Sequence, residues 1–90
     1  MPIQHNAEQF EFSYFDEQGE KVGKLCYRYI KDDVIDAFHT KVAESHQGKG
    51  IAGLLYDALI SFAQAQQLKI KPSCSYIEVK MRRSHQNMMI

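Results

Sequence analysis

Gln47-Gly48-Lys49-Gly50-Ile51-Ala52-Gly53 is the stretch on which the fold turns, because the hydrophobic period changes there. From Gly50 onward, Ile51, Leu54, Leu55, Ala58, Leu59, Phe62 and Ala63 recur at the i, i+3, i+4, i+7, i+8 spacing of an amphipathic helix, which runs to about Gln67. Before it, Val34 to Val42 carries apolar residues on both faces, Val34, Phe38 and Val42 against Ile35 and Ala37, the pattern of an interior strand covered on both sides. The heptapeptide is therefore a strand-to-helix handover. A helix start offers N–H groups without intrahelical partners and the positive end of its dipole. Two glycines allow close approach, so an anion such as a pyrophosphate fits, with Lys49 as a nearby cation. The same glycines can also do no more than shape a tight turn.

On the N-terminal side, Phe10, Phe12 and Tyr14 alternate with Glu11 and Ser13 as a first strand, closed by the turn Asp16-Glu17-Gln18-Gly19. Val22 to Ile30 is a second strand with Leu25, Tyr27 and Tyr29 on one face, ended by Lys31-Asp32-Asp33. Beyond the long helix, Leu68-Lys69-Ile70-Lys71 reads as a short strand stopped by Pro72, and a right-handed crossover places it parallel to the third strand. Ser75-Tyr76-Ile77-Glu78 has capping-box form and starts a second helix through Arg83, followed by a fraying tail. The fold class is α+β: an antiparallel three-stranded meander, a long helix, a parallel fourth strand and a C-terminal helix. Ninety residues allow one core, so residues 1–90 are expected to be a single domain.

Composition narrows the function. Eleven Lys plus Arg balance eleven Asp plus Glu, so no positive field draws the chain to nucleic acid or an anionic membrane. No segment approaches the ~20 apolar residues of a membrane helix and the start has no leader pattern, which predicts a cytoplasmic protein. Cys26 and Cys74 are too few and too far apart for a disulfide scaffold. His5, His39, His46 and His85 lack paired ligand spacing, so no metal is expected; His5, His46 and His85 read as superficial.

Gly48-x-Gly50-x-x-Gly53 matches the dinucleotide fingerprint literally, but that fingerprint needs an acidic residue about 20 positions on, where this chain has Lys71-Pro72-Ser73-Cys74. A P-loop fails too, because Lys49 precedes Gly50 and Ile51 follows it. Read as Gln47-x-x-Gly50-x-Ala52, the turn resembles the acetyl-CoA signature of the Gcn5-related N-acetyltransferases. His39-Thr40-Lys41-Val42 before it, and Pro72-Ser73-Cys74-Ser75-Tyr76 after the helix, look like the short YjdJ-type subgroup, over roughly residues 8 to 85. The resemblance implies acetyl-CoA or coenzyme A as co-substrate. Backbone groups of Thr40 and Val42 would pair with the pantetheine arm, and those of Gln47, Gly48, Lys49, Gly50, Ile51 and Ala52 would hold the pyrophosphate. Gln47 stands where close relatives often have Arg, and Gln brings no charge. Longer members carry extra early helices that help build the acceptor site, whereas this sequence moves almost directly from Phe10 into its first strand, so an open acceptor site is expected.

Three residues are candidates for the chemistry. Cys74 lies beside a predicted helix start, which can lower a thiol from about 8.5 into a reactive range, so it can take the acetyl group; a buried, inert Cys is the other reading. His39 can serve as general base if it faces the cleft, or sit neutral within the sheet. Tyr76 can reprotonate the departing thiolate, as tyrosines do in many members of the family, or only pack. Cys26 reads as structural, and Arg82-Arg83 as a solvated face. The first functional expectation is transfer of acetyl from acetyl-CoA to an unidentified amine, directly or through Cys74. The alternative is a non-catalytic acyl-CoA-binding module acting as sensor or docking domain. A homodimer is one way to complete the open side.

Overall fold

The computed structural model describes residues 2–90. Five strands form one sheet in the order β1-β2-β3-β4-β5: β1 (Ile3–Asn6), β2 (Glu11–Phe15), β3 (Lys21–Lys31), β4 (Val34–Val42) and β5 (Lys69–Pro72). Helix α1 (Ile51–Ala65) connects β4 to β5, and α2 (Ser75–Ser84) follows β5. Strands β1 to β4 pair antiparallel, and β4 pairs with β5 in parallel. The α+β architecture is the one read from the sequence, with one strand more.

That extra strand, β1, has no signal in the sequence because Ile3-Gln4-His5-Asn6 shows no apolar alternation; only Ile3 is half-buried and the rest is exposed. Its place comes from pairing with β2, Ile3 opposite Tyr14 through Asn6 opposite Glu11. His5 adds to this by stacking on Phe12 with ring centroids 4.1 Å apart and placing Nε2 2.6 Å from the Tyr27 hydroxyl. It is exposed, as read from the sequence, yet engaged with the aromatic side chains beside it. Phe10, read as the first strand residue, lies before β2 in a left-handed conformation (φ +56°) and is exposed.

The core joins one face of the sheet to the helices, and Leu25, Ile35, Leu55, Leu59, Ile70, Ile77 and Met81 are all fully buried. Each such side chain contributes about 1.5–3 kcal/mol of hydrophobic stabilisation. On α1 the buried face is Ile51, Leu55, Tyr56, Leu59, Ile60 and Ala63, whereas Leu54 is 44% exposed. The face is rotated from the predicted one because α2 packs beside α1 and covers a second flank. Tyr56 Oη lies 2.6 Å from His85 Nδ1, and the Lys80 ammonium sits 5.4 Å from the Tyr56 ring centre. His85 thus ties the end of α2 to α1 and is not superficial.

Both helices cover the same face of the sheet. Along β4, Val34–Ala37 are buried but Phe38, His39 and Lys41 are exposed, so this strand is interior over its first half only. α1 ends at Ala65, and β5 includes Pro72, which pairs with Ala37 at the strand end. The capping box does not form: Cys74 is the N-cap of α2, no side chain caps it, and Glu78 pairs instead with Arg82 at 3.3 Å. Nor does the tail fray, because Met88 is buried and the Ile90 N–H donates to the Ile70 carbonyl at 3.1 Å.

Candidate functional site

Strands β4 and β5 stay together only from Val34–Lys69 to Ala37–Pro72. One further tie, the Cys74 N–H donating to the Ala37 carbonyl at 3.0 Å, closes the ladder. Next comes a bulge: His39 pairs with Cys26 and Ala37 with Tyr27, which leaves Phe38 without a counterpart on β3. A bulge bends its strand and increases the local twist. From Phe38 to Val42, β4 therefore keeps β3 on one edge and has no strand on the other. The gap is a cleft of about 300 Å³ lined by Thr40, Val42, His46, Gln47, Gly48, Gly50, Ile51, Ala52, Gly53 and Tyr76.

The turn at its mouth owes its shape to two left-handed glycines, Gly48 (φ +83°) and Gly50 (φ +80°). A β-carbon at either would meet nothing within 4 Å, so glycine is required there by backbone angle and not by space. Gly50 is the N-cap of α1 and has no side chain to offer the helix, and the first intrahelical bond runs from the Leu54 N–H to the Gly50 carbonyl at 3.1 Å. The N–H groups of Ile51, Ala52 and Gly53 are left without intrahelical partners at the positive end of the helix dipole. An anion is the natural partner for such a group of donors. The Gln47 side-chain amide donates to the Val42 carbonyl at 3.3 Å and so secures the turn to the strand. Lys49 lines a wider neighbouring hollow of about 650 Å³ with Tyr14, Phe15, Asp16, Glu17 and His46. The smaller cleft is the better site for an anion, since the orphan amides belong to it and the wider hollow carries two carboxylates.

Deeper in, the Cys74 thiol donates to the Thr40 hydroxyl oxygen at 3.6 Å, across the gap where the strands part. Tyr76, on the first turn of α2, reaches over α1 so that its hydroxyl is 3.7 Å from where a β-carbon on Gly53 would stand. Burial raises the Tyr76 pKa, and the Asp57 carboxylate and Cys74 push it the same way, so the phenol is neutral around pH 7. Thr40, Val42, Gln47, Gly48, Gly50, Ile51, Ala52 and Tyr76 thus share one cleft, with Cys74 one hydrogen bond behind Thr40. His39 is elsewhere: one residue from Thr40 and opposite Cys26, it is exposed on the sheet face away from the helices.

Two lining residues are not legible in the sequence. His46, which reads as superficial there, sits on a 3-10 turn (Glu44–His46), with Nε2 3.7 Å from Asp16 Oδ2 and Nδ1 2.9 Å from the Ser45 hydroxyl. Gly53 has no signal beyond the dinucleotide fingerprint that the chain fails to complete. Among the described residues no three His, Cys, Asp or Glu side chains gather as a metal site would need, and no helix is long and apolar enough to cross a membrane.

The family model for the GCN5-related N-acetyl-transferase matches residues 9–89. Protein NATD1 of Mus musculus is 29% identical over 76 residues, covering 84% of this chain and 69% of that protein. Among solved structures, the NMR structure of a GCN5-like protein of Staphylococcus aureus superposes with a TM-score of 0.74 at 24% identity, over 98% of this chain and 86% of the other. An acetyltransferase of Elizabethkingia anophelis, crystallised with acetyl-CoA bound, superposes with a TM-score of 0.63 at 19% identity, over 83% and 51% of the two chains. At these identities the structural likeness speaks to the fold.

Proposed function

The chain belongs to the GCN5-related N-acetyltransferase family, and from that premise we propose that it takes the acetyl group of acetyl-CoA and passes it to an amine. The observation that carries this reading is the meeting, in one cleft, of the orphan amides of Ile51–Gly53 with a strand edge freed from pairing at Phe38–Val42. Amides suit a diphosphate. A free strand edge suits an extended amide-bearing arm such as pantetheine, by the hydrogen bonding that a missing strand would have supplied. Thr40 and Val42 line that edge, and the arm's length carries the thioester toward Cys74 and Tyr76.

Two routes start from this placement. In the direct one, the amine attacks the thioester carbonyl, the C–S bond to coenzyme A breaks, the departing thiolate takes the Tyr76 phenolic proton, and the proton released by the acylated amine restores the phenol. In the relay, the Cys74 sulfur attacks first, an acetyl-Cys74 thioester forms as the C–S bond to coenzyme A breaks and the Cys74 proton passes to the coenzyme A sulfur, and the amine then displaces Cys74, its proton restoring the thiol. The Thr40 hydroxyl, already an acceptor for the Cys74 thiol, orients the sulfur toward the cleft.

Among the described residues no helix covers the other face of the sheet, which favours the second reading of a module that binds acyl-CoA without turnover. Incubation with acetyl-CoA separates the three by intact mass and coenzyme release. An acetyl adduct lost in Cys74→Ala supports the relay, product amine without adduct supports direct transfer, and neither leaves binding alone. A melting temperature unmoved by acetyl-CoA would refute all three, since a native-state ligand at a hundredfold excess over its Kd adds about 2.7 kcal/mol.

A further inference from the structure

Across β3 and β4 the register sets two lysines directly opposite each other, Lys24 against Lys41. Thr40 and Val42, on either side of Lys41, line the cleft on the helix side, so Lys41 and its partner Lys24 point to the other face of the sheet. Directly opposed residues have β-carbons roughly 4.5–5.5 Å apart, and like charges so placed destabilise a sheet. Lys24 is moreover half-buried, where salt screens its charge less.

Nothing within the chain relieves the pair. Among the described residues neither Lys24 nor Lys41 makes an ion pair. The two strand carboxylates on that face are already engaged: Glu11 pairs with Lys21 and accepts from the Ser13 hydroxyl at 2.7 Å, and Asp36 accepts from Arg28 Nη2 at 3.1 Å through Oδ2, its buried Oδ1 being without a partner. A hollow of about 320 Å³ adjoins the opposed lysines, lined by Lys21, Val22, Gly23, Lys24, Lys41 and Ala43. Half of that lining is lysine and none of it is acidic, in contrast to the wider hollow that carries Asp16 and Glu17.

The uncompensated charge selects the ligand. Glu11 balances Lys21, which leaves the positive charges of Lys24 and Lys41. A carboxylate would neutralise only one of them, whereas a phosphate monoester carries a charge of about −1.5 to −2 at pH 7 together with three strong acceptor oxygens. Ammonium groups, each with three donors, serve such a group as point charges. We infer that the hollow at Lys24 and Lys41 binds a phosphate monoester, on the sheet face opposite the cleft of Thr40 and Val42. This site does not depend on coenzyme binding. A phosphoserine side chain and a small phosphorylated metabolite share the required chemistry.

The test is calorimetric titration of the full chain at low ionic strength with glycerol phosphate and with N-acetyl-phosphoserine methylamide, and with glycerol and N-acetyl-serine methylamide as uncharged counterparts. The wild type is expected to bind at least one phosphorylated probe and neither counterpart, the tighter probe naming the source. Lys24→Gln and Lys41→Gln should each weaken that binding about tenfold or more. Lys71→Gln, beside Asp36 in register and outside the hollow, should leave it unchanged. Lys41 is exposed, so its replacement is not expected to unfold the chain, and without ligand Lys41→Gln should melt no lower than the wild type because one of two opposed charges is gone. No heat from either phosphorylated probe, or binding left intact in Lys24→Gln and Lys41→Gln, would overturn the proposal. Equal losses in all three lysine variants would overturn it as well, by showing a diffuse positive face in place of a site.

Discussion

Replacing Gly50 by alanine separates a ligand-holding turn from a merely shaped one. Gly50 sits at φ +80° and ψ +11°, and a β-carbon there meets no atom within 4 Å, so the structural penalty is backbone strain alone. Left-handed backbone costs a residue with a side chain about 1–2 kcal/mol. For a domain of this size that lowers the melting temperature by roughly 4–8 °C per kcal/mol. If the chain instead relaxes out of the left-handed well, the N–H groups of Ile51 and Ala52 lose their aim, and hydrogen bonds to a charged group are worth about 1.5–3 kcal/mol each. Two such bonds mis-aimed amount to about 3 kcal/mol or more, a loss of at least about 100-fold in acetyl-CoA affinity. Gly19 is the internal control: it has the same φ of +80° and the same empty surroundings, but lies in the turn between β2 and β3. Calorimetry and melting curves on Gly50→Ala and Gly19→Ala should give similar losses of stability and a loss of affinity in Gly50→Ala alone. Equal stability losses with acetyl-CoA affinity intact in both would reduce the glycines to turn formers and remove the support for the pyrophosphate site.

A β-carbon on Gly23 would fall 2.9 Å from Ile51 Cγ2 and 3.3 Å from Leu55 Cδ1, so Gly23→Ala pushes on the first turn of α1; denaturant melts should show about 1–3 kcal/mol lost, with weaker acetyl-CoA binding in titrations. Burial raises the Tyr27 and Tyr56 pKa values to about 12 from an unfolded 10.0, so each stabilises fully below pH 10 and loses its contribution as pH rises to about 12; stability measured across that window should fall by on the order of 2 kcal/mol per tyrosine, and less steeply in Tyr27→Phe or Tyr56→Phe. Tyr76→Phe should slow amine acetylation at least tenfold if the phenol protonates the leaving thiolate, with acetyl-CoA affinity by calorimetry unchanged; an undiminished rate would remove that role. Leu55→Ala, at a fully buried position on α1, should cost about 2–5 kcal/mol in chemical denaturation.

Local chemistry made much of this protein legible from the chain alone. The change of period at Gly50, the glycine pair Gly48 and Gly50 at the strand-to-helix handover, and the apolar rows of β3, β4 and α1 are short-range properties that survive in any context. Together they specified the element order from β2 to α2 and the glycine turn between β4 and α1. What they could not specify were relations between distant segments. Polar β1 gains its place only from pairing with β2, and the buried face of α1 is rotated because α2 covers Tyr56 and Ile60. His39 and Thr40 are neighbours in sequence, yet the sheet sends them to opposite faces, one exposed and one lining the cleft. The bulge at Phe38 that parts β4 from β5, and the half-satisfied carboxylate of Asp36 beside that parting, have no one-dimensional signal at all. Register, packing angle and unmet hydrogen-bonding capacity are properties of the assembled sheet, and they exist only once the chain has brought its ends together.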